Sequence, residues 1–336
     1  MKYQLSFLFV GALFVLVYSL ALLVIGPFEA AGLNVFSNPN NPINLVYFIV
    51  TLIAFTVLSL LFVKFGGRRI VQVIILGAMG YLAFYVSLLL FSFIVSDFWS
   101  LIFAIAAAAI LIILLVEYPE WYIIDVFGIL VGLSVIAMLG ISLSIFLVIV
   151  LLIVLATYDA ISVYGTKHML DLADVVLDLK LPLVLVVPKV RNYSFIEQTG
   201  TLKEKLKGEE EWNAFFIGLG DLVMPGILVA SAFYNAPKNS LIIAVSVIIG
   251  TLFGFALLIP SVVKGKPQAG LPYLCGGAIL GYSVSSYLLF GKLVGVPFTA
   301  IGTIVIIIIL VALAFLVYSK LVKGKKTASS TISSTP

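Results

Sequence analysis

Long apolar stretches alternate with short polar breaks along most of this chain. The stretches cover residues 5–26, 43–63, 70–95, 98–116, 121–139, 141–163, 212–234, 240–260, 270–290 and 297–319. Each is close to the roughly 20 residues a helix needs to cross a hydrocarbon core. The breaks fall at turn and charge clusters such as Ser37–Pro42, Gly66–Arg69, Glu117–Glu120 and Lys264–Pro267. Backbone amides in lipid must be bonded internally, and the stretches lack the alternation of barrel strands, so they predict helices. The first run is too long for a signal peptide and lacks a small-residue cleavage site, so it reads as a retained helix. No internal repeat is evident. The expected fold is all-α, a polytopic transmembrane bundle of ten spans.

The same pattern divides the chain. Residues 1–163 form a six-helix membrane part and 164–211 a polar loop. A three-helix membrane part covers 212–290, and an accessory span with a disordered tail covers 291–336. Inside the loop, Asp171, Asp174 and Asp178 have the spacing of a solvated helix face. A strand-like run, Leu183–Val187, lies between Pro182 and Pro188, and a charged stretch follows at Lys203–Glu211. The Ser/Thr-rich tail after Lys326 has no apolar content to order it.

Composition closes off other classes. Of 336 residues, 63% are hydrophobic and 10% charged, against roughly 45–50% and 25% in soluble domains. That excludes a soluble enzyme, a nucleic-acid-binding module and a disulfide scaffold. One cysteine, Cys275, and one histidine, His168, leave no Cys or multi-His metal site, and no metal or organic cofactor is implied. His168, beside Lys167, reads as an interfacial residue. The net charge of +4 bears on topology instead. With the N-terminus inside, ten crossings put 17 of the 19 Lys and Arg on the inner side, leaving only Lys238 and Lys292 outside. The N-terminus and loop 164–211 are therefore expected to be cytoplasmic.

Candidate chemistry comes from acids in apolar runs. Only Asp125, Asp159 and Asp221 lie there, each costing about 2.5–3.5 kcal/mol at a helix centre on insertion scales. Asp125 is four residues into its run and is expected to reach interfacial water. Asp159 lies roughly 8 Å from the inner face, counting 1.5 Å per helical residue to a helix end near Tyr164, and Asp221 roughly 13 Å, counting from about Trp212. Two helices thus carry a carboxyl to similar depth. At about 4 Å, two such charges repel by about 4 kcal/mol at an effective dielectric near 20. The pair then holds one shared proton. Such a dyad suits peptide hydrolysis, one member deprotonating water and the other protonating the carbonyl oxygen. It equally suits a proton or cation relay in a secondary transporter or channel, and depth and pairing do not decide between them.

The neighbouring residues are more specific. Tyr158 precedes Asp159, where it can pack or contact the dyad or substrate. Gly218-Leu219-Gly220-Asp221 places two glycines before the second acid, where they let another backbone approach closely. Ala269-Gly270-Leu271-Pro272 opens the ninth run; the residue before proline is biased away from helix, so Leu271 is expected to be extended.

On these three elements, in this order, the sequence resembles the presenilin and signal peptide peptidase family of intramembrane aspartyl proteases. Pro119-Glu120-Trp121, Tyr158–Tyr164 and Gln268–Pro272 look particularly similar to the archaeal presenilin homologues. The resemblance implies a nine-helix core, with 297–319 as an accessory tenth span. It implies Asp159 and Asp221 as the catalytic dyad of a GxGD-type aspartic endopeptidase that uses an activated water. Leu271 and Pro272 match the family's Pro-Ala-Leu-Pro element, whereas Ala269 and Gly270 replace its Pro and Ala. Tyr158, Gly218, Leu219, Gly220, Ala269, Gly270, Leu271 and Pro272 are the expected substrate-binding residues. The partners so implied are transmembrane helices of substrate proteins within the lipid bilayer, in a prokaryotic cell membrane. A homo-oligomer is also compatible with this reading, and no nucleic acid is involved. Leu183–Val187 and Ala269–Pro272 are expected to hold an unwound substrate by strand addition.

Overall fold

The computed structural model describes residues 4–64, 68–163, 183–190, 193–196, 214–236, 239–263 and 268–297. Nine helices and one two-stranded sheet occur among them. The helices of the first part are α1 (Gln4–Ala30), α2 (Ile43–Lys64), α3 (Arg68–Ser92), α4 (Asp97–Glu117), α5 (Trp121–Ser142) and α6 (Ile145–Ile161). Strands β1 (Val184–Pro188) and β2 (Ala214–Gly218) follow, then α7 (Leu219–Asn235), α8 (Ser240–Val263) and α9 (Leu271–Phe290). By length and composition, α1, α3, α4, α5, α8 and α9 can each cross a membrane, while α6 and α7 are shorter apolar helices of 17 residues.

The helices sort by how much surface they bury. α5 is the central post: fifteen of its residues are buried, against α1, α3 and α7. Large apolar side chains on α2 and α4, including Val46, Ile53, Trp99, Ile105 and Ile113, point outward, as lipid contact requires. Glycines make the tightest contact. Gly250 and Gly254 of α8 face Gly277, Gly281 and Tyr273 of α9 so closely that a Cβ at Gly277 would lie 2.2 Å from the Gly250 carbonyl oxygen. Small residues of this kind let membrane helices meet backbone to backbone.

β1 and β2 pair antiparallel, with Val184 opposite Gly218 and Pro188 opposite Ala214. The Leu219 N–H donates to the Leu183 carbonyl at 2.8 Å. This sets the alternation: Leu185 and Val187 exchange hydrogen bonds with Ile217 and Phe215, and Val184 and Val186 turn their amides away from β2. Lys189 Nζ lies 4.2 Å from the centroid of the Phe215 ring.

The first six apolar runs become helices within a few residues of their expected ends, and the strand expected at Leu183–Val187 forms one residue later. The seventh run differs. Residues 214–218 are strand, not the first turns of a helix, and α7 begins at Leu219. Ala214-Phe215-Phe216-Ile217 is rich in strand-favouring residues, Gly218 is a weak helix former, and β1 supplies the hydrogen-bonding partner. The helical rise used to place Asp221 at depth therefore does not apply. The expectations for His168, Asp171, Asp174, Asp178, Lys203–Glu211, the start of run seven at Trp212, Lys238, 298–319 and the tail lie outside the described residues.

Candidate active site

α6 and α7 bring the two acids to one place, the amino end of α9. Asp159, two residues before the end of α6, is buried, and its Oδ2 accepts the Leu271 N–H at 3.1 Å. Leu271 is the first residue of α9, and its N–H is one of the donors a helix cannot satisfy within its own first turn. A carboxylate there also meets the positive end of the helix dipole. Asp221, in the first turn of α7, approaches the adjacent residue: a Cβ on Gly270 would stand 3.0 Å from Asp221 Oδ2 and 3.4 Å from Oδ1. Gly270 has ordinary right-handed backbone angles. The requirement for glycine is therefore room beside the carboxylate, not unusual backbone.

This geometry revises two expectations. Leu271 is not extended: the helix starts at this residue, and the Gly270 carbonyl accepts the Tyr273 and Leu274 amides at 3.2 Å each. The close approach expected at the Gly218/Gly220 pair occurs at Gly270. A Cβ on Gly220 would meet no protein atom within 4 Å, and one on Gly218 would make only ordinary contact with Asp221 Oδ2 at 3.6 Å. The remaining expected substrate residues divide. Tyr158 turns outward and is exposed beside the buried Asp159, whereas the side chains of Leu219 and Ala269 are buried in protein. Pro272 occupies the first turn of α9, where its missing N–H costs little.

A cavity of about 240 Å³ opens on Asp221. Phe7 and Phe14 of α1, Phe215 and Phe216 of β2, Phe255 and Ile259 of α8, and Gly270 wall it. It is an apolar slot with a carboxyl at its side.

Sequence reasoning missed several supports of the site. Tyr18 on α1 is fully buried and donates its hydroxyl to the Leu222 carbonyl at 2.9 Å, one residue past Asp221. Gly226 makes room for that ring: a Cβ there would lie 2.8 Å from Tyr18 Cε1. Pro225 sits inside α7, so no amide of that residue can close a helical bond to the Asp221 carbonyl. A tyrosine in an apolar run carries no signal of such a partner 204 residues away. Asp125 is turned into the protein and not out to solvent. It is buried, and its Oδ1 accepts the Val186 N–H of β1 at 2.7 Å. Glu120 accepts from Ser194 Oγ at 2.6 Å and from the Phe195 N–H at 3.0 Å. Burial and the Glu120 charge push the Tyr193 hydroxyl above its ordinary range. No group of three or more His, Cys, Asp or Glu side chains able to hold a metal occurs among the described residues.

A helical membrane bundle with two acids meeting at a third helix's amino end defines a class, and comparison with known proteins agrees. The sequence matches the family described as signal-peptide peptidase, presenilin aspartyl protease over residues 11–292. Two crystal structures, each of a presenilin family intramembrane aspartate protease, superpose with a TM-score of 0.57. The one in space group C222 is 31% identical in sequence and the one in P2 is 34% identical. Each alignment covers 83% of this chain and 96% of the other. No curated protein matches significantly. The chain belongs to the presenilin and signal peptide peptidase family of aspartyl proteases, and is an integral membrane protein of that kind.

Proposed function

We propose that the protein cleaves peptide bonds within transmembrane segments of other membrane proteins, using Asp159, Asp221 and one water. The observation that carries the reading is the convergence of both carboxyls on Gly270 and Leu271. We assign the general base to Asp159, since an N–H at the amino end of α9 complements a carboxylate. Asp221 is the general acid. Asp159 takes a proton from the water as its oxygen attacks the scissile carbonyl carbon. Asp221 gives its proton to the carbonyl oxygen, forming a gem-diol; Asp159 then passes its proton to the amide nitrogen while Asp221 takes back a hydroxyl proton, and the C–N bond breaks to release the amine and the carboxylic acid. GxGD chemistry of this type needs no cofactor.

A transmembrane helix keeps its amides bonded internally, so the scissile segment has to unwind first. The strand expected to receive it was Leu183–Val187, but β1 already pairs with β2 on one edge and meets Asp125 on the other. We place the substrate strand along β2, which lines the cavity beside Asp221. Gly220, with open space above it, and Gly218 then leave room for substrate backbone. Gly270, Leu271 and Pro272 flank the scissile bond, and Leu219 and Ala269 contribute backbone only. Exposed Tyr158 stands where substrate or lipid reaches α6. The charge distribution supports a cytoplasmic N-terminus and loop 164–211, and the archaeal resemblance supports a prokaryotic cell membrane. The test is incubation of the purified protein in liposomes with a transmembrane peptide, with products mapped by mass spectrometry. Cuts inside the apolar stretch are expected. Cuts confined to its polar flanks, or none, contradict the proposal.

A further inference from the structure

Asp125 is the third acid placed inside an apolar run, and the dyad chemistry gives it no task. Its carboxylate meets the outer edge of β1, accepting the Val186 N–H, an amide that the β1–β2 ladder turns away from β2. Glu120, at the amino cap of the same helix, accepts Ser194 Oγ and the Phe195 N–H. One end of α5 thus holds the chain on both sides of Pro188. β1 in turn holds β2, whose last residue, Gly218, lies three positions before Asp221. A strand amide buried in protein needs an acceptor, and Asp125 supplies it from the most buried helix of the bundle.

We propose that Asp125 is a positioning residue for substrate: it pins the outer edge of β1 so that β2 is presented to the cavity in a fixed place. The proposal rests on the reading that β2 receives the unwound substrate. Asp221 is anchored separately. Leu219, Leu222 and Val223 of α7 lie 3.5–3.7 Å from the position of a Cβ on Gly132 of α5, and Tyr18 holds the Leu222 carbonyl. Loss of the Asp125 contact therefore loosens the sheet and leaves the dyad in place. The expected signature is a raised KM at nearly constant kcat.

The test uses the full chain in liposomes with a transmembrane peptide. Asp125→Leu should raise KM by about tenfold, the usual effect of one charged hydrogen bond, with kcat within about threefold. Asp125→Asn keeps an acceptor oxygen and should restore KM to within about threefold of wild type. Val186→Pro removes the same bond from the other side, at an amide the ladder does not use, and should reproduce Asp125→Leu. The double variant should be no worse than either single one, because both remove a single interaction. Hydrogen exchange supplies a readout independent of cleavage: amides of residues 184–187 should exchange about tenfold faster in Asp125→Leu, with those of the non-proline residues 223–229 in α7 unchanged. An unaltered KM in Asp125→Leu, Asp125→Asn as defective as Asp125→Leu, multiplicative effects in the double variant, or unchanged exchange in β1 would each overturn the proposal. A wild-type protein that cleaves no transmembrane peptide overturns the protease reading, while the exchange result still decides whether Asp125 pins β1.

Discussion

Gly270 is the residue on which the site turns, because it separates the two carboxyls by no more than a backbone. The 3.0 Å from its absent Cβ to Asp221 Oδ2 is tighter than ordinary van der Waals contact but correctable by a small shift of the carboxylate. Gly270→Ala, which restores the residue of the family element it resembles, should therefore keep cleavage within about fivefold of wild type. Gly270→Val adds two further methyls against the same carboxylate and should lower kcat by at least about a hundredfold, as misplacement of a reacting group by about 1 Å does. Rate measurements on a transmembrane peptide check both, and equal activity of the Val variant would contradict the placement of Asp221. The two acids were legible in the sequence because charge in an apolar run is costly, and so was the order of their motifs. The crowding at Gly270 was not. It depends on α7 and α9 meeting, and no local pattern announces a contact between residues 221 and 270.

At the scale of elements, α9 does two jobs, and its glycines join them. Its amino end meets Asp159, and its body is seated on α8 through Gly250, Gly254, Gly277 and Gly281. Gly277→Ala would put a methyl 2.2 Å from the Gly250 carbonyl oxygen. Overpacking of this kind costs about 1–3 kcal/mol, so thermal unfolding in detergent should show a clear fall in Tm, along with weaker cleavage as α9 is pushed off the dyad. An unchanged Tm would mean that the two helices do not meet as described. β2 shows why element boundaries were harder to read than the elements. Residues 212–234 form one apolar run, and hydropathy alone does not distinguish a strand that runs straight into a helix from a longer helix. The strand is specified by its partner β1, about 30 residues earlier, which Asp125 and Glu120 hold to α5 through contacts the sequence did not reveal.

For the whole molecule, the asymmetry of basic residues is expected to set how the bundle sits in a membrane, and with it which end of a substrate reaches the two aspartates from the cytoplasm. Single cysteines introduced into loop 164–211 should be labelled by a membrane-impermeant maleimide from the cytoplasmic side of sealed vesicles, and one at residue 238 from the opposite side. Cys275 is buried, so replacing it by Ala or Ser gives a clean background. Labelling of the loop only from outside would invert the bundle.

The central claim is that Asp159 and Asp221 together perform the hydrolysis, and the most direct measurement is the cleavage rate of the two single Asn variants. Each Asn keeps the shape of the side chain and cannot exchange the proton. Asp159→Asn and Asp221→Asn should each reduce turnover of a transmembrane peptide by at least about a thousandfold, the order seen when one member of a catalytic unit is removed, with Tm close to that of the wild-type protein. A folded variant of either kind that cleaves at the wild-type rate would contradict the account.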